Sequence, residues 1–425
     1  MLGRGVTWMV GVVAAMGASG ISGQETTREA VVTADDLRVE VLTADPGDLI
    51  WERFGHNALR IVDEASGLDV AWNWGVFDFR QEDFIPRLVR GTMLYQMAPY
   101  STEAFLREYV AAGRAVWSQE LDLTPSERQL IQQAVIENYR PENRFYRYDY
   151  YRDNCSTRIR DILDRALGGR IRAETGDVVT GTTYRWHTRR LLRDVFWAYA
   201  GIQLVLGNRA DEPITAWQEM FVPMRLRDYL SRATVEREGV NVPLVREARL
   251  LVPSNRGPVP EAPPRRFPVF LLVGVAWGGA ILLAAKGAVA GSWLPRAATV
   301  VLASGWSLLA GIGGLVLALA WALTDHVFWG WNENLLQADP LSLLMLPGMI
   351  VLFFRPRLPG WVTTLAVSVA VLSLVGLAVQ VLPGFDQVNA EVLAVSVPVN
   401  LAVAVAARVL GRVGGGAERT LSPAT

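Results

Sequence analysis

Hydrophobic and polar positions divide this chain into two regimes. From Leu37 to Gly75 apolar and polar residues alternate, as in Leu37-Arg-Val-Glu-Val-Leu-Thr and Val70-Ala-Trp-Asn-Trp. Between them lies the branched apolar run Asn57-Ala-Leu-Arg-Ile-Val, and Asp63-Glu-Ala-Ser-Gly67 is a turn. Period-two alternation bounded by turn residues predicts strands. Residues 80–115 and 125–139 are expected to be helical, the second starting at Ser126 behind Pro125. A segment crowded with aromatics and arginines, Tyr139–Tyr151, leads into Asp153-Asn-Cys-Ser-Thr. Beyond it Ile159, Ile162, Leu163 and Ala166 recur at helical spacing, with Asn154, Ser156 and Thr157 as capping residues. Residues 184–232 are expected to be helical with breaks at Gly207 and Pro213.

The second regime begins after residues 252–268, a linker with six prolines. Five apolar stretches follow, at 268–286, 298–324, 340–354, 361–382 and 392–410. The third is short and contains Pro347, so it is expected to tilt, break or re-enter. Of 83 Asp, Glu, Lys and Arg residues, 70 precede Phe267, which separates a polar domain from a membrane domain. Lys286, Arg296, Arg355, Arg357, Arg408, Arg412 and Arg419 lie in alternate loops and the tail, while loops 325–339 and 383–391 carry neither Lys nor Arg. The basic loops and tail are therefore expected in the cytoplasm. At the N-terminus Arg4, an apolar run and small residues to Gly23 form a secretory signal or an uncleaved anchor, which exports residues 30–251. Residues 413–425 become a cytoplasmic tail. A net charge of −1 gives no reason to invoke nucleic acid.

Cys155 is the sole cysteine, so it forms no internal disulfide and leaves a free thiol. At the first turn of a helix, unpaired amides and the helix dipole favour its thiolate. A cysteine nucleophile needs a base, and the chain has three histidines. His56, opening a strand in Phe54-Gly-His-Asn-Ala-Leu-Arg-Ile, suits that role. Asn73 on the following strand is the orienting acceptor, with Asp78 as the carboxylate alternative. His187, among arginines, suits an anionic headgroup or a surface contact. His326 lies with Asp325, Asn332, Glu333 and Asn334 in one outer loop. No histidine pair has metal-ligand spacing, so neither a metal nor another cofactor is expected.

Histidine on a strand first and cysteine on a helix later resembles the circularly permuted NlpC/papain-like thiol enzymes, including the lecithin:retinol acyltransferase group. More closely, Trp51–Ile61, Asn73–Phe79, Asp153–Arg158 and Asp325-His326 with Asn332 and Asn334 resemble the Lnb bacterial lipoprotein N-acyltransferases. The resemblance implies an α+β periplasmic domain of permuted papain/NlpC type on an all-α membrane domain of about five helices in the inner membrane. It implies His56 and Cys155 as the catalytic pair, with Asn73 carried over as the third member; the helix start puts backbone amides, with Asn154 and Ser156, in place as oxyanion and helix-cap support, and Arg158, His326, Asn332 and Asn334 are expected to bind substrate. The expected reaction moves an acyl chain from a membrane phospholipid through a Cys155 thioester to the α-amine of a diacylated lipoprotein. The alternatives are a membrane-anchored NlpC-like peptidase or amidase acting on the cell wall, and a non-catalytic scaffold. Oligomeric state is not legible.

Overall fold

A computed structural model of the protein describes residues 36–77 and 82–412, so the expected signal, Asp78, Phe79 and the tail lie outside the described residues. The N-terminal part is a mixed α/β domain built on β1 (Leu37–Ala44), β2 (His56–Asp63), β3 (Leu68–Val76), β4 (Leu94–Ser101), β5 (Val116–Leu121) and β6 (Phe145–Arg147). With an edge strand, Val245–Val252, they form one seven-stranded sheet in the order edge-β5-β1-β2-β3-β4-β6. Every pairing is antiparallel.

Both faces of the sheet are covered, which is why β1 is buried almost throughout, Glu40 and Thr43 included. Leu37, Val39 and Val41 pack with Ile159, Leu163, Ile131 and Val135, from the helices Cys155–Ala166 and Pro125–Tyr139. Leu42 and Ala44 pack on the other side with Phe105 and Tyr109 of the helix Thr102–Ala111. Alternation therefore sorts neighbouring residues into two different cores.

The expected helix over 80–115 is corrected. Only Phe84–Arg90 and Thr102–Ala111 are helical there, and β4 lies between them. Its backbone pairs with β3 on one side and β6 on the other, and Met97 is buried. Sheet pairing overrides the local pattern. The strands β5 and Val245–Val252 also lie outside the expected β region. By contrast Pro125–Tyr139 begins as expected, with a capping box between Thr124 and Glu127.

The C-terminal part is helical. Phe267–Val289, Trp293–Leu323, Gly360–Val381 and Ala390–Arg412 are each long and apolar enough to cross a membrane. The expected third span is a pair of helices bent by 49° at Met345, so among the described residues there are four such helices, or five spans with the bent pair counted as one. That pair starts beside the soluble domain, where Asn334 donates to the Gln203 carbonyl. It ends at the opposite end of the bundle, where Arg357 donates to Gly411 and Leu358 to Leu410. Its course thus matches that of a full span. Gly274 and Gly278 allow the first helix to approach the last at backbone distance.

Loops 325–339 and 383–391 both hold the soluble domain. Gly207 donates to Phe328 O at 2.7 Å, Val388 donates to Asp211, and Arg189 pairs with Glu391 at 2.8 Å. The loops free of Lys and Arg therefore lie on the domain side, and Arg357 and Arg412 lie at the far end.

Candidate functional site

The antiparallel register of β2 and β3 sets Ala58 opposite Asn73, and period two puts His56 on the same face as both. Asn73 Oδ1 lies 2.9 Å from His56 Nε2, and Asn73 Nδ2 is spent on the Ala71 carbonyl at 2.9 Å. Asn73 therefore accepts from a protonated Nε2 and leaves Nδ1 of the ring for another partner. That partner is Cys155, whose side chain hydrogen-bonds His56. Cysteine comes from the helix layer and histidine from the sheet beneath it, and they meet where β2 begins. The bulge at Gly75, with φ of +87°, lets β3 turn away beside them.

Cys155 is the first residue of its helix. Asn154 caps that helix, accepting from Ser156 N at 2.9 Å and Thr157 N at 3.0 Å. Its amide group donates to the carbonyls of Tyr150 and Phe221, at 3.1 and 3.0 Å. Asn154 is buried and its side chain fully engaged, so it holds the helix end and has no donor left for an oxyanion. Ser156 Oγ is likewise bound to the Met220 carbonyl at 2.6 Å. Of the expected support at these two positions, the capping half is present and side-chain donation to an oxyanion is absent.

The electrostatics favour charge separation. Burial of Cys155, which is 8 % exposed, pushes its thiol pKa up. The His56 charge and hydrogen bond, with the amides of Asn57 and Ser156, outweigh burial and bring the net shift below the ordinary value. For His56, burial works against the proton, but the Cys155 thiolate and the Asn73 hydrogen bond raise its pKa overall. Opposite shifts on adjacent groups favour a thiolate–imidazolium pair. Such a pair is chemically a nucleophile with an attached proton donor.

Several neighbours were not singled out from the sequence. The side chain of Asn57 is buried and donates to Thr43 Oγ1 and Leu42 O, so β1 holds in place the residue whose amide faces the sulfur. Tyr146 and Tyr148 are kept neutral by burial and by the Cys155 charge. Arg114 is buried over the Tyr109 ring at 4.7 Å, and its charge works against protonation of His56. The aromatic crowding of Tyr139–Tyr151 was the only sequence signal for any of these.

The remaining expected residues fall elsewhere. Arg158 is ion-paired with Asp153 and sits 4.0 Å over the Tyr146 ring. It lines a polar cleft of about 560 Å³ with Asp153, Asp161 and Arg165. His326 stacks on Trp329 at 4.4 Å and fills the space beside Gly91. Asn332 and Asn334 are buried, and their amides donate to carbonyls of residues 203–205. They fasten the outer loop to the domain, which corrects their expected role in binding substrate. His187 is corrected too: it is wholly buried, bound to Glu219 at 2.9 Å and to Arg190 at 3.0 Å, and makes no surface contact. Among the described residues no cluster of His, Cys, Asp and Glu has the makings of a metal site.

The outer loop reaches the nucleophile's approach directly. Phe328 packs edge-on against Tyr151, four residues before Cys155, at 4.8 Å and against Tyr184 at 5.2 Å. On the other side Phe54, two residues before His56, and Phe270 of the first span both pack on the cluster of Leu192, Ala198 and Tyr199. The site is thereby braced against the membrane helices from both of its chain segments.

No curated protein and no solved structure matches the chain. Residues 24–193 match the family model described as the Lnb N-terminal periplasmic domain, a stretch that contains His56, Asn73 and Cys155. The N-terminal part of the chain is thus an Lnb N-terminal periplasmic domain, and the apolar helices follow it.

Proposed function

We propose that the protein is a lipoprotein N-acyltransferase that uses Cys155 as nucleophile, His56 as base and acid, and Asn73 as the group orienting His56. The observation that carries this reading is the hydrogen-bonded chain Cys155–His56–Asn73, two residues from Phe54, which packs on the same apolar cluster as Phe270 of the first span. The acyl donor is an outer-leaflet phospholipid, and the acceptor is the α-amine of a diacylated lipoprotein. The site faces the periplasm from the inner membrane, and the domain has the permuted papain/NlpC arrangement, with strands carrying His and Asn ahead of the nucleophile helix.

The steps follow from the charge distribution. The thiolate attacks the ester carbonyl, forming the C–S bond, and the carbonyl pair moves to oxygen. The amide of Cys155, in the first turn of its helix, is the donor best placed for that oxyanion. Collapse expels the glyceryl oxygen, which takes the proton from imidazolium His56 and leaves as lysophospholipid. The α-amine, having given its ammonium proton to solvent, attacks the thioester, and neutral His56 takes the second nitrogen proton as the amide forms. Breakage of the C–S bond restores the thiolate. A covered sulfur favours transfer over hydrolysis, because water is kept from the thioester.

Intact-mass measurement of the full-length protein with phospholipid tests the reading. An acyl adduct on Cys155, absent in Cys155→Ser and slowed in His56→Ala, is expected, followed by its discharge to a diacylated lipopeptide. Cleavage of cell-wall peptides without acyl transfer would favour the peptidase, and neither activity would favour the scaffold.

A further inference from the structure

The loop between β1 and β2, residues 45–55, serves the proposed chemistry in a way that the catalytic chain does not use. Its tip is apolar and uncovered, with Leu49 46 % and Trp51 54 % exposed. Ile50 and Phe54, from the same loop, pack with Tyr199 and Phe270 instead. Phe270 lies in the first turn of the first span, so the loop sits at the membrane boundary, where a Trp side chain is at home.

Behind this tip lie two guanidinium groups that are not fully used. Arg114 is 5 % exposed, and Nε donates to the Asp45 carbonyl at 2.9 Å. Its Nη1 is only loosely paired with Glu52, at 3.4 Å, and Nη2 has no hydrogen-bond partner among the described residues. Arg53 Nε is also buried and without a partner. Of the nearby carboxylates, Asp48 makes a two-pronged pair with Arg256 at 2.7 and 2.8 Å, and Asp45 lies 3.5 Å from Arg227. Unpaired buried donors on a cation are costly, and the cost is recovered when an anion fills them. Arginine presents its N–H groups in the fork that fits a phosphate.

We propose that Arg53 and Arg114 form the phosphate subsite for the lipid donor, with Leu49 and Trp51 entering the acyl region of the outer leaflet. The proposal rests on the acyltransferase reading and specifies the part of the donor that the protein grips. His56 follows Arg53 by three residues, so a phospholipid held by its phosphate presents its ester bonds toward the His56–Cys155 pair. The chemistry recognised is a phosphodiester; a lipid lacking the phosphate would leave both arginines unfilled.

The test compares two donors with the same acyl chains, phosphatidylethanolamine and diacylglycerol, in the full-length protein in detergent micelles. Adduct formation on Cys155 is followed by intact mass. Loss of one charge-assisted contact corresponds to about 10- to 100-fold in rate. Arg53→Gln and Arg114→Lys are expected to slow the phospholipid reaction by that factor more than the diacylglycerol reaction, collapsing the wild-type preference. Arg114→Lys keeps the charge, and Arg53 is only half-buried, so at least one variant retains the fold. Equal losses with both donors, or no loss, would overturn the subsite. Water-soluble glycerophosphoethanolamine is expected to compete in the wild type; stronger competition by inorganic phosphate at equal concentration would assign the site to free phosphate and overturn the lipid assignment. A wild type that forms no adduct with either donor would instead overturn the acyltransferase reading itself.

Discussion

Replacing Asn73 by alanine isolates what the third member of the chain contributes. Asn73 Oδ1 accepts from His56 Nε2 at 2.9 Å, and the residue is only 3 % exposed, so no water replaces the lost acceptor. A hydrogen bond to a charged partner contributes about 1.5–3 kcal/mol, which corresponds to about 10- to 150-fold in the population of the imidazolium. The direction follows from the linkage. The Asn73 bond raises the proton affinity of His56, so its loss lowers that affinity. Cys155 then loses part of the charge that holds its thiolate, and its pKa rises. Because Cys155 is the sole cysteine, alkylation by iodoacetamide reports on this thiol alone. Asn73→Ala is expected to shift the alkylation profile to higher pH and to slow labelling at neutral pH at least tenfold. Asn73→Asp, which supplies a stronger acceptor, is expected to hold the profile at or below the wild-type position. A profile for Asn73→Ala that superimposes on wild type, in a protein that melts normally, would refute the argument.

Other perturbations probe the framework. Asn154→Ala removes the helix cap and leaves the carbonyls of Tyr150 and Phe221 without their donor. A loss of about 2–3 kcal/mol is expected, seen as a lower melting temperature of the soluble domain. His187, pushed down to about 4 by burial and then by the Arg190 charge against the Glu219 hydrogen bond, is neutral in the folded state. The unfolded chain takes up its proton near pH 6.5, so stability is complete above that value and falls as pH drops toward 4. The expected loss is on the order of 3 kcal/mol, and His187→Gln should flatten that limb in denaturant titrations at pH 4–7. Gly207 lies against the Gly330 carbonyl, where an added Cβ would overlap it. Gly207→Ala is expected to loosen the loop from the domain, measured as faster hydrogen exchange over 325–334 with little change in the sheet.

The strands at 37–75, the helix behind Cys155, the apolar stretches and the sidedness of their loops were legible in the sequence. Each rests on local periodicity or charge, which short segments carry without help. The pairing of His56 with Asn73 was partly legible, because a hairpin joins adjacent strands and period two orders their faces. β4 and the edge strand Val245–Val252 were not, since both owe their conformation to partners distant in the chain. Nor was the burial of His187, Asn332 and Asn334, whose polar side chains look exposed until one sees which carbonyls and carboxylates surround them. The sequence by itself determined that a lone thiol begins a capped helix on a domain tethered to a membrane. Only the tertiary structure decided that this sulfur, the His56 ring and the amide of Asn57 converge, because the sulfur comes from a helix and the ring and amide from the start of β2, far apart in the chain and packed together.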